Sequence, residues 1–207
     1  MFPLKNIIFD LGAVLINIDY KKTEQSFIQL GYYNFEEMYS QFSSDKLFEK
    51  LETGEISEAD FYKKILALNN NVNTDIEIKE AWNKILLDWR AESLHYLETL
   101  APMYKLFLLS NTNAIHKKAF LASLKKETGR DTIDNLFTKS YYSHEIHLRK
   151  PNDDIFEFVA KDSNIKKEET LFIDDSYNNI ETAKKLGFKT HLLLSTERIE
   201  DLKYELF

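Results

Sequence analysis

The stretch Lys5-Asn6-Ile7-Ile8-Phe9-Asp10-Leu11-Gly12 decides the fold. A short apolar run rich in Ile and Phe, bounded by glycine, reads as a strand buried on both faces in the centre of a parallel sheet. In open α/β sheets ligands bind outside the carboxyl ends of the strands, and Asp10 stands at such an end. Gly12 lets the backbone turn away there and lets a ligand come close. One Asp after one strand would by itself read as a loop cap.

Three later stretches give Asp10 company. Leu106-Phe107-Leu108-Leu109-Ser110 is a second apolar run, ending in a hydroxyl and followed by Asn111-Thr112-Asn113. Lys150-Pro151 opens an amphipathic helix, with Pro151 at its first position and Ile155, Phe156 and Val159 facing the core. Leu171-Phe172-Ile173-Asp174-Asp175-Ser176 is a third run, ending in two carboxylates. Strands over 138–143 and 189–194 and helices over 115–124 and 178–186 fill the intervals, and a terminal helix is expected over 197–207. Strands alternating with helices imply right-handed βαβ crossovers, hence an α/β, doubly wound, Rossmann-like parallel sheet.

From about residue 20 to 90 the pattern is helical only. One helix closes at Gly31 and another runs from Asp45 to Gly54. A third starts at Ser57, with Asp60 reaching back to the cap. Ile78, Trp82, Ile85 and Leu86 give a fourth. The expected organisation is a core domain of residues 1–16 and 91–207, with a helical cap, residues 17–90, inserted after the first strand.

Asp, then Ser, then Lys, then Asp-Asp, each at a strand end or helix start, resembles the four motifs of the haloacid dehalogenase-like (HAD) hydrolases over the whole chain. Phe9-Asp10-Leu11-Gly12-Ala13-Val14, Ser110 to His116, Leu148 to Pro151 and Gly54-Glu55-Ile56-Ser57 are similar to the sugar-phosphatase subgroup that includes glucose-1-phosphate phosphatases. The resemblance implies a Mg2+-dependent phosphatase acting on a small phosphate ester such as a hexose-1-phosphate. Asp10 is then the nucleophile. It is also a metal ligand with the Gly12 carbonyl and Asp175, and Asp174 is an alternative ligand or acts through water. The resemblance also implies a mobile cap over the site. It further implies a second Asp two residues after the nucleophile, as general acid and base, and Gly12 stands there instead.

The chemistry needs these residue types. A phosphate monoester repels a carboxylate nucleophile, and a divalent metal relieves this. Hard oxygen ligands shared with substrate and water suit Mg2+. Ser110 offers a hydroxyl and Asn111 a backbone N–H to phosphoryl oxygens at a helix N-terminus. Lys150 places a cation where transition-state charge develops. Asn113 and His116, on the first turn of the next helix, are expected to face the substrate. Glu52 and Glu55, flanking Gly54, are candidates for sugar hydroxyls.

Composition narrows the partners. A net charge of -7 disfavours nucleic acid. No apolar run reaches transmembrane length, and with no cysteine there is neither a disulfide frame nor a thiolate metal site. A cytoplasmic protein, monomeric or weakly homodimeric, is expected. Without the second Asp, two alternatives stand beside the phosphatase: a haloacid dehalogenase or phosphonatase-like hydrolase, and a catalytically weak phosphate-binding protein of the same fold.

Overall fold

The computed structural model describes residues 3–39, 45–204 and 207. Strand β1 (Asn6–Phe9) lies at the centre of a five-stranded sheet, with β4 (Lys105–Ser110) and β5 (Lys139–Tyr142) on one side and β6 (Thr170–Asp174) and β7 (Lys189–Leu192) on the other. Every pairing is parallel. Side-chain alternation explains the unbroken apolar run of β1. Ile7 and Phe9 face one way, into a core with Leu106, Leu108, Leu171 and Ile173, covered by helices α6 (Ala91–Leu100) and α7 (Ala114–Thr128). Ile8 faces the other way with Phe107, Leu109 and Phe172, covered by α9 (Asp153–Asp162) and α10 (Tyr177–Lys185). Strand order reverses about β1, so Asp10 emerges at the topological switch point.

Among the described residues, five helices stand between β1 and α6: α1 (Tyr20–Gln29), α2 (Phe35–Met38), α3 (Lys46–Glu52), α4 (Glu58–Leu68) and α5 (Asp75–Asn83). They enclose a separate aromatic core built on Phe27, Phe35, Phe48, Phe61 and Trp82, in which Phe27 and Phe35 stack at 4.0 Å. Local signals set the helix starts. Asp45 caps α3, Ser57 caps α4 by accepting from the Asp60 N–H, and Thr74 with Glu77 forms a capping box on α5.

Four expectations are corrected. The stretch before residue 90 contains a strand: β3 (Leu86–Trp89) pairs antiparallel with β2 (Ile16–Ile18). Leu86 therefore leaves the helical stripe of Ile78 and Trp82, because α5 stops at Asn83. Pro151 precedes its helix, which starts at Asp153 behind Asn152. The end of the chain forms a 3-10 turn over Ile199–Asp201, with no terminal α-helix among the described residues.

Candidate active site

Asp10 follows β1 directly, its N–H bonded to the Ile173 carbonyl at 2.9 Å. Asp174 ends β6 and Asp175 follows it. The three carboxylates converge, each offering an oxygen within 4.8 Å of the others. Lys150 reaches in from beyond β5 (1% exposed), and its Nζ donates to Asp10 Oδ1 (2.7 Å), Asp174 Oδ2 (2.6 Å) and the Leu109 carbonyl (2.9 Å). Asp174 is fully buried and further held by Asn179 Nδ2 on both oxygens and by the Ser176 N–H.

The charge balance of this cluster is acidic. Burial pushes the Asp10 carboxyl up to about 7, with Lys150 pulling down against Asp174 and Asp175. Burial and then Asp174 push Asp175 up to about 6. Burial alone would lower Lys150, but Asp10 and Asp174 hold it above the ordinary lysine value, so its ammonium is permanent. Raised carboxyls around a fixed cation mark a place where further positive charge would be favourable. The donors are all oxygens, so the residues present fit a hard divalent cation.

Ser110 closes β4 and is buried beside this cluster. The Asn111 side chain grips the Lys150 backbone in both directions, accepting from its N–H (2.9 Å) and donating to its carbonyl (2.8 Å). Thr112 is tied in turn to Ser143, with N–H to Oγ and Oγ–H to carbonyl both at 2.9 Å. The Ser110 and Lys150 segments are thus braced on one another before any ligand arrives.

Gly12 is not in the left-handed region, so a side chain there is conformationally allowed. A Cβ would meet only Ile18, with Cδ1 at 3.1 Å. The Ile18 side chain is therefore what a side chain at position 12 would first meet.

Two expected substrate contacts are engaged elsewhere. Asn113 caps α7, accepting from the His116 N–H (3.0 Å) and pairing with His116 Nδ1 (3.1 Å). His116 Nε2 lies 3.1 Å from the Trp82 carbonyl, which can only accept, so Nε2 carries the proton. Its ring stacks on Trp82 at 4.6 Å. His116 therefore ties α7 to α5 and leaves no ring nitrogen for a substrate. Burial lowers it to about 4, against the pull of the Trp82 carbonyl. Between about pH 6.5 and 4 the unfolded chain takes up a proton here that the folded chain refuses. Stability present above pH 6.5 is therefore lost as pH falls through that window. From pH 7 to 4.5 this group contributes a loss of about 2 to 3 kcal/mol. Urea unfolding at both pH values should show His116→Gln losing less over this range than wild type.

Residues that sequence reasoning passed over frame the site. Arg90 holds the β2 segment, with Nε on Asn17 Oδ1 (2.8 Å) and Nη1 on the Val14 carbonyl (3.3 Å). A cavity of about 450 Å³ opens beside Asp175, lined by Ala13, Asn17, Asp88, Arg90, Ser195 and Arg198. The Tyr20 hydroxyl is held above its ordinary value by burial and by Glu52, Asp175, Asp10 and Asp174, so it stays a donor. Of the two carboxylates expected to meet sugar hydroxyls, Glu52 is instead held by Arg149, and Glu55 accepts from the Thr53 hydroxyl. Among the described residues, no helix is long and apolar enough to cross a membrane.

A parallel sheet that gathers three carboxylates and one lysine at its carboxyl edge defines an α/β fold with an acidic, cation-seeking site. The chain belongs to the haloacid dehalogenase-like hydrolases, whose family model matches residues 7–193. It is similar to a D-ribitol-5-phosphate phosphatase of Bacteroides thetaiotaomicron, with 34% identity over 90% of each chain. Among solved structures, a HAD family enzyme of the same organism, in complex with magnesium and inorganic phosphate, superposes with a TM-score of 0.84. That enzyme has 35% identity and covers 96% of this chain and 98% of its own. A HAD-like family hydrolase from Porphyromonas gingivalis gives 0.84 at 38% identity, covering 94% and 93%. The chain is thus an enzyme of a hydrolase family, similar along almost its whole length to a phosphatase.

Proposed function

We propose that this hydrolase is a Mg2+-dependent phosphatase of a small sugar or polyol phosphate, such as a hexose-1-phosphate, acting through an aspartyl-phosphate on Asp10. The observation that carries the reading is the convergence of Asp10, Asp174 and Asp175 at the switch point of the sheet, with the Lys150 ammonium on the first two. The phosphatase and the magnesium–phosphate complex among its relatives support it.

Asp10, the Gly12 carbonyl and Asp175 would hold Mg2+. Asp174, already engaged by Lys150, Asn179 and Ser176, would act behind them. When bound, the ion neutralises phosphoryl charge and aligns the ester for in-line attack. A carboxylate oxygen of Asp10 attacks phosphorus as the bond to the sugar oxygen breaks, and that oxygen leaves with the bonding pair and takes a proton from water. Ser110 Oγ and the Asn111 N–H hold phosphoryl oxygens, and Lys150 offsets charge that grows in the transition state. Water then attacks the aspartyl-phosphate, breaking the bond to Asp10 and releasing inorganic phosphate. Residues 17–90 form the cap over the core of residues 1–16 and 91–207, excluding water and selecting the leaving group.

Gly12 sets the slow step. No carboxylate stands there to activate the second-step water, so phosphoenzyme should accumulate as a burst before a slow steady rate. A positioned acid/base is worth about a hundred- to ten-thousandfold. Gly12→Asp, whose Cβ requires the Ile18 methyl to yield by a few tenths of an ångström, is expected to raise the steady rate towards the burst rate. Rapid-quench kinetics of the two proteins checks this, and an unchanged steady rate would mean that another group already acts as base.

The reading is tested by turnover on a panel of phosphate esters, with Mg2+ and after its removal by chelation. Hydrolysis that needs Mg2+ and favours sugar or polyol phosphates is expected. Halide release from a haloacid, with no phosphate release from any ester, would move the chain to the dehalogenase alternative.

A further inference from the structure

The turn Glu52-Thr53-Gly54 has no part in the chemistry above, yet it seats the insert tightly on the core. Gly54 adopts φ +68, and a Cβ on it would lie 2.3 Å from the His144 carbonyl oxygen, so only glycine permits this approach. His147 Nδ1 lies 2.7 Å from the Thr53 carbonyl. Arg149 gives Nε and Nη2 to Glu52 Oε2 at 3.0 and 2.9 Å, and Nη1 to Glu49 Oε1 at 3.1 Å. Glu52 is 6% exposed, and burial raises its carboxyl against the pull of Arg149. Without Arg149 this buried carboxylate would have to protonate or return to water, which unseats the turn.

The same core segment ends at Lys150. Its backbone is clamped by Asn111, and its ammonium lies on Asp10 and Asp174. Residues 147–150 therefore touch the insert at one end and the reacting carboxylate at the other.

We propose that Arg149 is a positioning residue: by engaging Glu49 and Glu52 it sets the backbone that delivers Lys150 to Asp10, so that docking of the insert and placement of the ammonium are one event. The kinetic part of this proposal rests on the phosphatase reading, and the structural part does not.

Hydrogen exchange of the whole protein tests the structural part. Arg149→Ala is expected to speed exchange at the amides of residues 53–56 and also, by roughly tenfold or more, at the Lys150 amide that donates to Asn111. Glu52→Gln changes only the insert and is expected to loosen the Lys150 amide too. That variant keeps the test decisive should Arg149→Ala fold poorly. A loosened turn with an unchanged Lys150 amide in Glu52→Gln would overturn the proposal, since Arg149 would then only fasten the insert. In kinetics, each single variant should lower kcat by roughly tenfold, and the double variant should lose no more than the worse single. Additive losses would equally overturn it. An absence of turnover in wild type on every phosphate ester would instead sink the phosphatase reading, with the exchange result still standing.

Discussion

Asp10→Asn is expected to abolish turnover, by about ten-thousandfold or more, while leaving the fold intact. The amide has the shape of the carboxylate but cannot attack phosphorus, and it brings no charge to a cation. The fold should survive because Asp10 is held in the structure at a cost. Burial and the neighbouring Asp174 and Asp175 raise its carboxyl to about 7, so removing its charge relieves repulsion, while Lys150 keeps Asp174 as partner. Steady-state kinetics with thermal melting of the metal-free protein gives both readouts. Activity near wild type would show that Asp10 is not the nucleophile. A collapse of the melting temperature would show that its charge is structural.

Lys150→Met separates catalysis from stability in the opposite way. One preorganised charged donor is typically worth about a hundred- to a thousandfold in kcat. Here the ammonium is also the buried counter-ion of Asp10 and Asp174, at 2.7 and 2.6 Å. Breaking a buried pair by removing one partner costs about 3 to 5 kcal/mol. The variant is therefore expected to be both slow and much less stable. Added Mg2+ should raise its melting temperature more than that of wild type, because the cation replaces part of the missing charge. Equal stabilisation of both proteins by Mg2+ would contradict the view that cation and ammonium compensate the same carboxylates.

The site residues on the strands share one property that makes them legible: each follows an uninterrupted apolar run. Asp10, Ser110 and Asp174-Asp175 stand out because β1, β4 and β6 are buried on both faces, which leaves only apolar residues between the first strand residue and the strand end. Lys150 was found through its place before Pro151, although the helix starts later than that proline suggests. The short strands β2 and β3 were illegible for a physical reason. Each has three or four residues and forms its ladder with the other, so neither needs a long apolar run. His116 and Arg149 show the limit of local patterns. Helical spacing places His116 on the first turn of α7, but its partner Trp82 lies 34 residues earlier, on the insert. Arg149 has no local signal to set it apart, and only the fold brings Glu52, 97 residues away, against it.

The most direct test of the central claim is rapid-quench labelling with a 32P-labelled sugar or polyol phosphate in the presence of Mg2+. The account predicts an acyl-phosphate that forms as a burst approaching one per active site, maps to the peptide containing Asp10, and is absent from Asp10→Asn. Steady release of inorganic phosphate at full rate, with no label on the protein at any quench time, would contradict an aspartyl-phosphate whose breakdown is slow for want of a base at Gly12.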